Sequence, residues 1–249
     1  MDDPEFGALL LERKNAAGVW FAIGWPLAAV LGGVGALRLN QDAANVTVAA
    51  VLWAAAGLCL FVPILMPARR LRFHEAGLVD VAPLRAPARL PYARVERMDW
   101  EVFKPRVGVT LRARLVGGRR KIDFMVRMDT GGRTEQTLER VRDAIASSMA
   151  PGLLARVQRD EPLPWGTARH GGVELRREGL AYRPVGFLGK GEQRFVPWST
   201  PFEYVFRSGF LAVRRAGTTE ALFTLPCTAS DFFPCFLVFT HLGQVRPIA

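Results

Sequence analysis

Gly117-Gly118-Arg119-Arg120-Lys121 is the sharpest local cluster of chemistry in this 249-residue chain. Three cations on a Gly-Gly hairpin tip can reach phosphate oxygens, because a tip is open to solvent and its backbone tolerates tight geometry. The same residue types also describe an ordinary solvated turn. The G-x-x-x-x-G-K-[ST] spacing is absent, so this is not a phosphate-cradling P-loop. On the strand before it, Arg112 and Arg114 alternate with Leu111, Ala113 and Leu115 and leave one face, and Arg127 joins them from the next strand. Arg69, Arg70 and Arg72 belong to the same basic set, while Asp123 and Glu101 stand near enough in sequence to neutralise part of it.

Other reactive residue types lack partners. Asp99 and Glu101 flank Trp100 and share one side of a strand, but no neighbouring motif supplies a nucleophile for them to assist. His74, His170 and His241 are isolated, so neither a zinc ligand set nor an H-E-x-x-H motif arises. Ser147, Ser148 and Ser208 lack a G-x-S-x-G context. Cys59, Cys227 and Cys235 are an odd number without C-x-x-C spacing, which argues against a disulfide framework. Tyr182, Trp198 and Tyr204 alternate within apolar strands and read as core. The expectation is therefore no catalytic residue, no cofactor, no metal and no nucleic-acid partner.

The elements that would carry these residues begin with two uncharged stretches, 16–37 and 46–66. A helix needs about 20 apolar residues to cross the bilayer core, so both stretches predict transmembrane helices forming a hairpin. Arg13 and Lys14 before the first, and Arg69, Arg70 and Arg72 after the second, outnumber Arg38 between them. That asymmetry predicts both termini in the cytoplasm and a multi-pass protein of a bacterial inner membrane. Gly24, Ala28, Gly32 and Ala36 recur every fourth residue and predict a close helix–helix face, with Ala50 and Ala54 opposite.

Residues 67–249 repeat a pattern. Leu71 to Leu78 and Val173 to Leu180 both alternate and end in Gly-Leu (Gly77-Leu78 and Gly179-Leu180). Leu90-Pro91-Tyr92 matches Val196-Pro197-Trp198, and each is followed by a long hairpin and a helical segment. In the first copy Leu138, Val141, Ala144, Ile145 and Met149 form an apolar stripe. Pro151-Gly152 is expected to end that helix, with a short linking helix over 153–159. In the second copy Ser230 or Asp231 is expected to cap a helix from Phe232, stopped by Gly243.

These motifs resemble an uncharacterised family of bacterial membrane proteins that pair two N-terminal helices with tandem pleckstrin-homology-like (PH-like) domains. The resemblance implies an α+β chain: a transmembrane helical hairpin, then two PH-like units, each a small antiparallel barrel or sheet with a C-terminal helix. The expected divisions are a cytoplasmic tail 1–15, the hairpin 16–66, a first domain 67–150, a linker 151–167 and a second domain 168–249. The family brings no catalytic residues to carry over.

Charge points the same way. Residues 1–66 carry a net of −2 and residues 67–249 a net of +12, so the second part favours an anionic counterpart. The expected function is a membrane-anchored scaffold that binds a protein partner and anionic lipid head groups, with self-association left open. The alternative is an enzyme or small-ligand-binding protein with its site between the two domains.

Overall fold

The computed structural model describes residues 3–14, 18–41, 46–65, 69–82, 85–103, 109–128, 132–166, 172–186 and 189–248. Strand β1 (Leu9–Lys14) is followed by helices α1 (Gly18–Gln41) and α2 (Val46–Leu65). Strands β2 (Arg70–His74), β3 (Gly77–Ala82) and β4 (Arg85–Pro91) lead into a 3-10 turn at Tyr92–Arg94. The meander β5 (Arg97–Phe103), β6 (Val109–Gly117) and β7 (Arg120–Met128) then precedes α3 (Arg133–Gln158). The same progression recurs as β8 (Leu163–Trp165), β9 (Val173–Leu175) and β10 (Gly179–Tyr182), a small hairpin β11 (Val185–Gly186) and β12 (Gly189–Lys190), and β13 (Arg194–Pro197). It continues through β14 (Pro201–Arg207), β15 (Phe210–Arg215), β16 (Ala221–Pro226) and α4 (Phe232–Leu242), and closes with β17 (Gln244–Pro247).

Sheet order makes the duplication explicit. One sheet runs β1-β2-β3-β4 and its counterpart β8-β9-β10-β13; the meanders form β5-β6-β7 and β17-β14-β15-β16. Segment 9–14, expected as a tail, is thus the first strand of a sheet, and the two helices are inserted between that strand and its neighbour β2. The strand pairings of the β5–β7 meander and of the second repeat are antiparallel, except that β14 runs parallel to β17.

The chain divides into two compact units, Leu11–Phe73 with Val79–Arg89, and Met1–Leu10 with His74–Leu78 and Leu90–Ala249. In the first, α1 and α2 pack on one another. Ala28 and Gly35 are buried on α1, and Ala49 and Ala56 on α2, a seven-residue spacing on each helix. A Cβ at Gly35 would lie 2.8 Å from the Trp53 ring, so that glycine is what lets the helices close. Of the expected ladder, only Ala28 is buried; Gly32 faces open space and Ala36, like Ala50 and Ala54, is exposed. Gly24 lies outside the residues whose side-chain surroundings are described.

The expected membrane hairpin needs correcting. A span takes about 20 apolar residues. Among the described residues no helix is long and apolar enough to cross a membrane. The architecture is accordingly α+β, with four helices among the described residues and mostly antiparallel sheets. The transmembrane assignment, the integral two-span membrane partnership and the multi-pass inner-membrane location are not supported.

In the second unit α3 does not stop at Pro151. It runs unbroken over 26 residues, with Leu138, Val141, Ile145 and Met149 buried on its first half and Leu153 and Val157 on its second. Leu153 and Val157 belong to the core of the second repeat, together with Trp165, Phe202, Leu211, Leu225 and Phe239. One helix therefore serves both repeats. The Trp165 ring lies within 6.4 Å of the Phe223, Phe232, Phe236 and Phe239 rings, so α4 plugs the strands above it.

The repeated motifs have a shared physical reason. The Tyr92 hydroxyl donates to the His74 carbonyl at 3.0 Å, and Trp198 Nε1 donates to the Arg176 carbonyl at 2.9 Å. The backbone N–H groups of the same two aromatics donate to Ala76 and Glu178, immediately before the two glycines. Each aromatic after Pro thus fastens the Gly-Leu turn of its own repeat. A Cβ at Gly77 would meet the Phe6 ring at 2.7 Å, and one at Gly179 would meet the Val196 carbonyl and the Phe195 ring.

Candidate functional site

The basic residues singled out from sequence are largely compensated. In the first unit the Arg69 guanidinium makes a two-pronged pair with Asp80 at 2.7 and 2.8 Å, and Asp80 is buried. Arg70 and Arg72 both reach Glu12 at 3.1 Å. Burial raises the Glu12 pKa, but hydrogen bonds from the two arginines outweigh it and hold the carboxyl below its usual value. In the second unit Arg114 pairs with Asp123 at 2.7 Å, directly across the β6–β7 ladder, and Lys121 joins at 3.1 Å. The Asp123 carboxyl is held low in the same way: burial raises it and the Arg114 and Lys121 hydrogen bonds prevail.

Arg112 and Arg127 leave the same face as Arg114, as the alternation requires, and both are exposed. Arg119 lies in the hairpin turn beside Gly118, which takes φ 57°, and Arg120 opens β7. A Cβ at Gly117 would run into the Arg94 carbonyl, so this first glycine is demanded by packing. These cations present an exposed face without enclosing a ligand.

Asp99 and Ser230 meet across the repeats. The Ser230 hydroxyl donates to Asp99 Oδ1, and Arg97 Nε donates to Ser230 Oγ at 3.0 Å. Asp231 has a left-handed backbone, φ 54°, and caps no helix N–H with its side chain. Its Oδ1 instead accepts the Met98 N–H at 2.6 Å, while its own N–H donates to the Met98 carbonyl at 2.8 Å. That pair of bonds imitates a strand partner along β5 and ties α4 to the first meander. Burial raises the Asp231 pKa, the Met98 hydrogen bond lowers it and nearby Asp99 raises it; the net direction is up.

The remaining reactive types are packed or alone. His74 is buried, with Nδ1 3.2 Å from the Gly7 carbonyl, and His241 is exposed; His170 lies outside the described residues. Burial pushes the thiols of Cys227 and Cys235 up, which disfavours the nucleophilic thiolate. Among the described residues no cluster of three or more His, Cys, Asp or Glu could hold a metal.

A groove and a pocket lie within the second unit, and neither was visible in the residue spacing. A groove of about 580 Å3 opens between α3 and α4, lined by Arg142, Ala146, Phe206, Cys227, Phe233 and Phe236 among others. The Arg142 guanidinium sits 4.4 Å from the centre of the Phe233 ring and donates to Asp143 at 2.8 Å, so one rim carries both signs of charge. Phe206 is exposed on the groove side of β14, while Val205 and, in the β14–β15 ladder, Phe210 are exposed on the opposite face of that sheet. A second pocket of about 550 Å3 lies beside β13 and the β15–β16 turn, with Tyr182, Arg194, Phe195, Arg215 and Glu220 in its wall. Arg194 and Arg215 are 21 positions apart, and only the folded strands bring them to one wall.

The chain matches no family model, and no curated protein matches it.

Proposed function

We propose that this chain is a non-catalytic scaffold of two PH-like repeats, and that an acidic protein presenting an apolar anchor docks in the groove between α3 and α4. The groove itself carries this reading: Phe206, Phe233 and Phe236 of the second repeat form an aromatic wall that faces Arg142, Ala146 and Ser147 of α3. An aromatic-walled groove between two helices fits the apolar face of a partner segment. The net charge of +12 over residues 67–249 favours an acidic counterpart. The order of four strands, three strands and a helix in each repeat supports the PH-like assignment.

Site-directed photocrosslinking in cells tests the groove. A photoreactive side chain at Ser147, on its rim, should yield a discrete adduct that the same probe at exposed Arg177 does not. Phe206→Asp should abolish that adduct, since it places a charge in the apolar wall. Equal adducts at both positions, or an adduct indifferent to Phe206→Asp, would reject the assignment.

A further inference from the structure

The pocket beside β13 makes a separate case, independent of the α3–α4 groove. Three arginines of this repeat are held by carboxylates: Arg176 holds Glu174 at 2.6 Å, and Arg214 and Arg246 share Glu203 at 2.9 and 2.7 Å. Arg194 and Arg215 differ, since among the described residues neither makes an ion pair, yet both contribute to one concave wall. Arg194 stands opposite Tyr182 in the β10–β13 ladder, and Arg215 ends β15 at the turn that carries Glu220. Two planar guanidinium groups approaching from different strands suit a tetrahedral anion, which offers several oxygens in different directions.

The rest of the wall is not that of a bare anion site. The Phe195 ring is 48% exposed and lies over Gly179, which has no Cβ to displace it. Pro184 adds a second apolar surface. Glu220 shares the pocket but pairs with neither arginine, so the lining nets a single positive charge. That balance suits a phosphate monoester with an apolar remainder better than a polyphosphate.

We propose that this pocket binds a small organic phosphate, its phosphate held by Arg194 and Arg215 and its organic part lying against Phe195 and Pro184. The phosphate can belong to a soluble metabolite or to a lipid head group, and the chemistry at the arginines is the same.

Calorimetric titration of the full chain with phenyl phosphate and with inorganic phosphate is the test, run beside sedimentation with phosphatidylcholine vesicles with and without phosphatidic acid. Arg194→Gln and Arg215→Gln should each weaken binding by about tenfold, the scale of one charge-assisted contact, while Arg177→Gln leaves it unchanged. Phe195→Ala should erase the preference for phenyl phosphate over inorganic phosphate. Glu220→Gln should strengthen binding of both, which a merely structural role for these residues would not produce. All these side chains are exposed, and matching thermal unfolding of the variants secures the comparison. Arginine-dependent binding of phenyl phosphate identifies a soluble ligand; arginine-dependent binding of phosphatidic acid vesicles alone identifies a head group. Absence of both, or binding indifferent to both arginines, overturns the proposal.

Discussion

Asp231 places a carboxylate where β5 would otherwise expose an edge N–H, and burial makes its charge costly. Because its folded-state pKa is raised, the native state holds the proton more tightly than the unfolded chain. Stability is therefore gained as pH falls below the raised value and lost as pH rises from the ordinary carboxylate range through it. Asp231→Asn keeps the oxygen that accepts from Met98, suits the left-handed backbone and removes that loss. The difference in denaturant stability between wild type and Asp231→Asn should grow with pH across this window, in the variant's favour; a constant difference would contradict the assignment. Trp198→Phe should cost about 1 kcal/mol, the net worth of its hydrogen bond to Arg176. The repetition of Gly-Leu and Pro-aromatic was legible because both copies stand in the chain. Its reason was not, because each aromatic meets its carbonyl 18 or 22 residues away.

At the level of elements, α3 shows packing overriding a local breaker. Proline within a helix costs roughly 3 kcal/mol, since it removes a hydrogen bond and crowds the preceding turn. Here buried Leu153 and Val157 beyond Pro151 keep the second half in register with the core of the next repeat. Pro151→Ala should accordingly raise stability, by about 1–3 kcal/mol in chemical denaturation. A loss of stability would mean that the proline shapes a necessary bend. Apolar periodicity made the first half of this helix readable. The continuation was hidden because Pro-Gly is ordinarily the stronger local signal. The same limit applied to both concavities: strand alternation says which side a residue leaves, and only strand pairing says which residues then face one another.

Across the whole molecule, apolar composition predicted α1 and α2 as helices, but their surroundings did not follow from it. The four-residue ladder of small side chains suggested one contact face; the buried positions instead recur every seven, with Trp53 lying against Gly35. Their outward surface includes Trp25, Val30, Val34, Val51 and Leu58, all exposed. Exposed apolar area of this kind drives association. Light scattering of the full chain in plain buffer should report self-association, and Val30→Gln combined with Val51→Gln should reduce it. A monodisperse wild-type monomer would argue otherwise.

The placement of those helices between neighbouring strands also bears on how the chain is made. Strand β8 precedes its partner β9 by a short stretch and can pair soon after both leave the ribosome. Strand β1 emerges before both helices, and must wait through them until β2 arrives beside it. Closing so long a loop adds little to the thermodynamic cost, which rises only with the logarithm of its length, but it delays the event. The growing chain thus carries an orphan strand until both helices have been made, and the second half of the duplication is the half able to fold without that wait.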